Sequence, residues 1–134
     1  MSLTLTPGML EDVLAHLRSS LPKEGCGLII GRDGVGTRVV TMTNTSSSAT
    51  EFEMDPAELI SVLRALRATG EEMTAIYHSH PRGPAEPSAR DIERAFYPGA
   101  VHLIVSFADA KSPITRAFRI VDGKVMEVEL RAIV

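Results

Sequence analysis

A β-prone run, Thr74-Ala75-Ile76-Tyr77-His78, leads straight into His78-Ser79-His80, and this feature most narrows what the chain can become. Side chains at i and i+2 of a strand point to one face, their backbones roughly 6.5–7 Å apart. Both imidazoles then converge where the strand ends. A loop stiffened by Pro81, Pro84 and Pro87 follows, and after it come Ser88 and, three positions on, Asp91. Prolines fix the distance between strand end and next element at little entropic cost. Two histidines and a carboxylate make a three-ligand set with a fourth position left for water, the composition of hydrolytic rather than structural zinc sites. The expected ligands are His78, His80 and Asp91, holding one zinc ion per chain.

Hydrolysis also needs a proton acceptor and a donor for the developing oxyanion. Glu24, in Lys23-Glu24-Gly25-Cys26-Gly27, is the best candidate base. It lies between the first helical pattern and a buried strand, where glycines let the chain pass close to a neighbouring site. Ser88 carries a hydroxyl close in sequence to Asp91 and is the candidate oxyanion donor. Ser88-Ala89-Arg90-Asp91 also reads as a capping box, and that role is compatible with both assignments. His102, inside Val101-His102-Leu103-Ile104-Val105, is expected to be a packed or edge histidine. His16 is expected on the surface of the first helix, and Cys26 as a small packing residue.

The remaining pattern predicts an α+β protein with a mixed, mainly antiparallel sheet and about three helices. Leu3 and Leu5 alternate with threonines as a short strand. Thr6-Pro7 reads as a cap and first helical residue, with Leu10, Val13, Leu14, Leu17 and Leu21 carrying the helical period toward Pro22. Leu28-Ile29-Ile30 and Arg38–Met42 pair across Asp33-Gly34, and Glu51–Met54 alternates like a further short strand. Asp55-Pro56 opens a second helix, with Leu59, Ile60, Leu63 and Leu66 on one face and Gly70 as its stop. Ser88 caps a third helix expected to reach Phe96. The chain ends in a hairpin, Ala117–Val121 and Lys124–Leu130, joined at Asp122-Gly123.

With 134 residues the whole chain, 1–134, is expected to be one domain. A net charge of −3, with lysines and arginines scattered, gives no basic stripe for nucleic acid or an anionic membrane. No apolar run is long enough to span a bilayer. The start has neither the basic nor the apolar region of a signal peptide. One cysteine excludes an internal disulfide and fits a reducing compartment, so the expected location is the cytoplasm.

Taken in order, Glu24, then His78-Ser79-His80, seven residues, Ser88, two residues and Asp91 resembles the motif of the JAMM (MPN+) metallopeptidases, the JAB-domain family. The resemblance covers nearly the whole chain, including Glu24-Gly25-Cys26-Gly27-Leu28-Ile29-Ile30-Gly31. It implies an MPN/JAB-like fold with cytidine-deaminase-like layering, zinc on His78, His80 and Asp91, Glu24 as general acid/base and Ser88 aiding the oxyanion. The implied reaction is hydrolysis of a peptide or isopeptide bond at the C-terminal tail of a ubiquitin-like protein. The compact chain is most similar to the small stand-alone prokaryotic members, several of which process β-grasp sulfur carriers. Two other readings stay open: a non-catalytic MPN-type scaffold that docks a partner, and a cell-wall or phage-associated peptidase of the same fold.

Overall fold

The computed structural model describes residues 2–133. In chain order the elements are β1 (Ser2–Leu5), α1 (Met9–Ser20), β2 (Cys26–Arg32), β3 (Val35–Met42), α2 (Pro56–Thr69), β4 (Glu72–His80), α3 (Ala89–Glu93), β5 (Val101–Ser106), β6 (Ile114–Val121) and β7 (Lys124–Ala132). The fold is α+β. Its sheet runs β1-β3-β2-β4-β5-β6-β7 and closes on itself, because β1 pairs in parallel with both β3 and β7. The β4–β5 pair is also parallel, whereas β2–β3, β2–β4, β5–β6 and β6–β7 are antiparallel.

Local chemistry accounts for most of the boundaries. Asp55 caps α2 by accepting the N–H of Ala57 at 2.9 Å and of Glu58 at 3.2 Å, Pro56 opens the helix, and Gly70 at φ 71° ends it. Asp33-Gly34 and Asp122-Gly123 all have positive φ, the backbone of a tight two-residue hairpin turn. Three expectations are corrected. The first helix starts at Met9 after Gly8 at φ 84°, because Thr6 turns its hydroxyl to the Met9 sulfur instead of capping. The third helix stops at Glu93 rather than Phe96: none of its residues is buried, so the Ser88 capping box holds it without a packed face. Glu51–Met54 is not a strand beyond the single Met54–Asn44 bridge, since the Glu53 N–H bonds to the Asn44 side chain. The β6 strand also begins earlier than expected, at Ile114.

The period of two in the central strands sorts side chains into two cores. Ala75 and Tyr77 of β4, Ile29 of β2, and Val101, Leu103 and Val105 of β5 pack with Met9, Val13 and Leu17 of α1. Ile76, with Cys26, Leu28 and Ile30 of β2, packs against Leu59, Val62, Leu63 and Leu66 of α2. His78 and His80 share the parity of Ile76, and so emerge on the α2 side. Burial on both faces explains why these strands read as continuous apolar runs.

Tyr77 and Gly27 face each other across β2 and β4, and the tyrosine ring lies against the bare glycine backbone. The phenol reaches His16 Nδ1 at 2.6 Å, with the two rings edge to face; His16 is therefore tied to the core rather than simply exposed. A Cβ at Gly27 would overlap the Tyr77 ring. Gly27→Ala should lower the unfolding free energy by about 1–3 kcal/mol. Because Tyr77→Leu removes the ring, the same glycine substitution should cost less in that background. Urea unfolding of the four proteins checks this, and equal losses in both backgrounds would refute the contact.

Candidate metal centre

Three ligand-type atoms meet at the carboxyl end of β4. His78 Nε2 lies 3.1 Å from His80 Nε2 and 3.2 Å from Asp91 Oδ2, and His80 Nε2 lies 3.1 Å from the same oxygen. Atoms coordinated tetrahedrally at about 2.0–2.1 Å from one ion stand roughly 3.3 Å apart. The triangle therefore fits a divalent metal. Its members come from two elements: β4 supplies both imidazoles on one face, and the first turn of α3 supplies the carboxylate.

The surroundings orient each ligand. His80 Nδ1 is 2.8 Å from the Pro84 carbonyl, which only accepts, so Nδ1 carries the proton and Nε2 keeps its lone pair for the ion. Asp91 Oδ2 accepts the Ser88 N–H at 2.9 Å, while Ser88 Oγ accepts the Asp91 N–H at 3.1 Å. The capping box thus aims the carboxylate as well as starting the helix. Phe52 lies against the His78 ring, centroids 4.6 Å apart. Among the described residues, His78 Nδ1 is buried with no hydrogen-bond partner, as is His102 Nε2 on the next strand.

Burial lowers the His78 pKa, outweighing the Asp91 contact, and so favours the neutral ligand form. For His80 burial acts in the same direction, but hydrogen bonds to Asp91 and Pro84 and the charges of Asp91 and Glu24 win, and its pKa rises. Asp91 is held well below the usual carboxylate range: the two histidines and the Ser88 amide overcome the penalty of burial. Burial pushes Glu24 up to about 7, with Asp91 and Glu51 adding to it and His80 opposing. Burial brings His102 down to about 4, so this histidine is neutral near neutral pH.

Glu24 is only 4% exposed, and a carboxylate oxygen lies within 4.8 Å of a ring nitrogen of each ligand histidine. Its segment is clamped from two sides. Gly25 N–H donates to Ser79 Oγ at 2.9 Å and Ser79 N–H returns to the Gly25 carbonyl at 3.1 Å. Asn44 Nδ2 donates to the Glu24 carbonyl at 2.9 Å. Ser79, Asn44 and Phe52 were not singled out from sequence. The parity of Ser79, opposite to its flanking histidines, is the signal that marks it as a structural partner. Asn44 lies in Thr43-Asn44-Thr45-Ser46-Ser47-Ser48, a polar stretch that reads from sequence as a plain loop.

Two cavities flank the triangle. One, about 420 Å³, is mainly apolar, with Phe52, Met54, Leu59, Ile76 and Tyr97, and is also lined by His78, Asp91 and His102 and by the charged Glu51, Glu53, Arg90 and Arg94. The other, about 480 Å³, carries Glu24, Thr50, His80, Pro84, Glu86 and Ser88. Residues 49–54 contribute to both walls. Cys26 is fully buried beneath the site and its thiol is pushed up to about 12, first by burial and then by Glu58 and Glu24; it is a packing residue.

Protons compete with a metal for these ligands. Once pH falls below the raised pKa of His80, divalent-metal affinity should drop about tenfold per pH unit. His80→Ala should bind far more weakly and lose that slope. Metal titrations across pH check this; a pH-independent affinity in the unmodified chain would contradict the assignment.

The family of prokaryotic homologues of the JAB domain matches residues 6–121. Over 127 residues the chain is 35% identical to a CysO-cysteine peptidase of Mycobacterium tuberculosis, covering 93% of this chain and 87% of that one. It is 48% identical over 89 residues to a probable TtuB-protein conjugate cleaving protease of Thermus thermophilus, 66% and 60% of the two chains. A protein from Desulfitobacterium hafniense, known from its solution structure, superposes with a TM-score of 0.87 at 39% identity, over 99% of this chain and 93% of that one. The chain belongs to the prokaryotic branch of the JAB-domain family.

Proposed function

We propose that the chain is a zinc-dependent peptidase or isopeptidase that hydrolyses the amide bond at the C-terminal tail of a ubiquitin-like or β-grasp sulfur-carrier protein. The observation that carries this reading is the triangle of His78, His80 and Asp91, with edges of 3.1–3.2 Å, and the Glu24 carboxylate within 4.8 Å of the imidazoles. When bound, zinc supplies the Lewis acidity that acidifies water and polarises a carbonyl. Glu24 takes the proton of the attacking water and passes it to the leaving nitrogen. A carboxyl lifted to about 7 by burial suits transfer in both directions near neutral pH. Ser88 Oγ already accepts from the Asp91 amide, so its own O–H remains to be donated to the oxyanion.

The two cavities divide the substrate. The proton goes to the leaving amine, so that amine belongs in the cavity that Glu24 and Ser88 line. The acyl tail then lies in the apolar cavity against Phe52, Met54 and Tyr97, its small terminal residues passing between the walls to the ligand triangle. An extended tail suits such a groove because its alternate side chains enter pockets. Relatives named for cleaving CysO-cysteine and TtuB–protein conjugates support a carrier-protein substrate. A cytoplasmic setting is in keeping with a single, buried cysteine.

The test is turnover of zinc-loaded protein on a carrier protein whose terminal glycine is amide-linked to cysteine or lysine. Glu24→Gln should keep the metal and lower kcat about 10²–10⁴-fold. Ser88→Ala should lower it about 10²-fold and cost about 1 kcal/mol of stability through the lost cap. Full activity in Glu24→Gln would remove Glu24 as the base, and intact substrate with zinc-loaded unmodified protein would remove the reading itself.

A further inference from the structure

We propose that Asn44 is a positioning residue that couples occupancy of the apolar cavity to the alignment of Glu24; this rests on the reading of Glu24 as the base. Asn44 follows β3 in the connection to α2, and one side chain joins three pieces of chain there. Its Nδ2 donates to the Glu24 carbonyl at 2.9 Å, and its Oδ1 accepts the N–H of Ser46 at 2.9 Å and of Glu53 at 3.0 Å. The orientation of the amide is fixed by these partners. Flipped, its oxygen would face the Glu24 carbonyl and its NH2 would face two amide N–H groups.

The loop that Asn44 closes is the shared wall of both cavities. Thr45 N–H and Oγ1 both donate to the Glu53 carbonyl, at 2.8 and 3.1 Å, so the ends of the loop are laced together. From this loop Phe52 stands on the His78 ring, and Met54 lines the apolar cavity. Glu51 pairs with Arg90, the residue before Asp91, and its charge also acts on Glu24. Anything that fills the apolar cavity presses on Phe52 and Met54. That load reaches Glu53 and Asn44 through the loop, and Glu24 through the Asn44 amide. On its other side the Glu24 segment is fixed by Ser79 of the ligand strand. Asn44 is therefore the adjustable half of the clamp, and Ser79 the fixed half.

Binding energy from remote parts of a substrate raises kcat when it is spent on aligning catalytic groups. The tail should thus promote turnover through Asn44 as well as binding. Asn44→Asp keeps an oxygen for Ser46 and Glu53 but sets a carboxylate oxygen against the Glu24 carbonyl, which cuts the link to the base and spares the loop. Asn44→Ala removes both halves.

The experiment uses the zinc-loaded full chain and two synthetic peptides amide-linked to lysine, one ending Leu-Gly-Gly and one ending Ala-Gly-Gly before the scissile bond. In the unmodified protein the Ala-Gly-Gly substrate should show a lower kcat. In Asn44→Asp, kcat on the Leu-Gly-Gly substrate should fall roughly 10–100-fold at unchanged zinc content. The two substrates should then differ in KM alone. Hydrogen exchange supplies a readout apart from turnover: the uncleaved Leu-Gly-Gly product peptide should protect the segment around Gly25 in the unmodified protein and not in Asn44→Asp, while the Ser46 and Glu53 amides stay protected in that variant and open in Asn44→Ala. Unmodified kcat and tail dependence in Asn44→Asp, or equal protection around Gly25, would overturn the coupling. No turnover by the unmodified protein would instead count against the proposed function.

Discussion

The alternation of side chains along β4 is the constraint on which the site depends. Ala75, Tyr77 and Ser79 face the α1 core, and Ile76, His78 and His80 face the α2 side. The inward set anchors the strand: Tyr77 packs over Gly27 and reaches His16, and Ser79 exchanges hydrogen bonds with Gly25. The outward set presents the two imidazoles. A slip of one residue in register would bury both histidines in the α1 core and turn Tyr77 out. The register Cys26↔His78 also sets where Glu24 stands, because Glu24 lies just before β2. One strand pairing thus locates the ligands and the proposed base together.

That dependence explains what was legible in the sequence. Elements with strong local chemistry read correctly: Asp55-Pro56 and Gly70 bound α2, Asp122-Gly123 turns the last hairpin, and Ser88 caps α3. The five polar residues of the candidate centre are legible only as a joint pattern, since Ser88 and Asp91 alone read as a helix cap and Glu24 alone as a loop carboxylate. Thr6-Pro7 misled because Gly8, in a left-handed conformation, postponed the helix to Met9. The third helix ends at Glu93, short of Phe96, because no residue of it is buried, and Phe96 stays 75% exposed. Glu51–Met54 alternates like a strand, yet the Glu53 N–H goes to the Asn44 side chain instead of a backbone carbonyl, which leaves only one bridge. Closure of the sheet through β1 and the roles of Asn44 and Ser79 are long-range facts with no local signature.

Burial and charge work against each other around Glu24, and the balance suits a proton carrier. Burial raises its pKa, and Asp91 and Glu51 raise it further, whereas the His80 charge pulls it down. Asp91, closer to the histidines, goes the opposite way: contact with the two imidazoles and the Ser88 amide outweighs the effect of burial. Two carboxyls at one site are thereby driven apart, one held as an anion and one poised near neutrality. Such separation of paired acidic groups is how a fold assigns them different tasks.

Each member of the ligand triangle is also held by something other than a metal: His80 by the Pro84 carbonyl, Asp91 by the Ser88 amide, and His78 by the Phe52 ring and full burial. Ligands fixed in this way need little reordering on binding, so more of the coordination energy appears as affinity. The same anchors hold the three atoms of the triangle between the two cavities. One cavity is walled by Glu24, His80, Ser88 and the 81–87 loop, the other by Leu59 of α2, residues 90–97 and residues 51–54. Because residues 49–54 form part of both, changes in this loop alter the two sides together, whereas the ligands rest on β4 and α3. A change in the loop can then alter both cavities without loosening the centre.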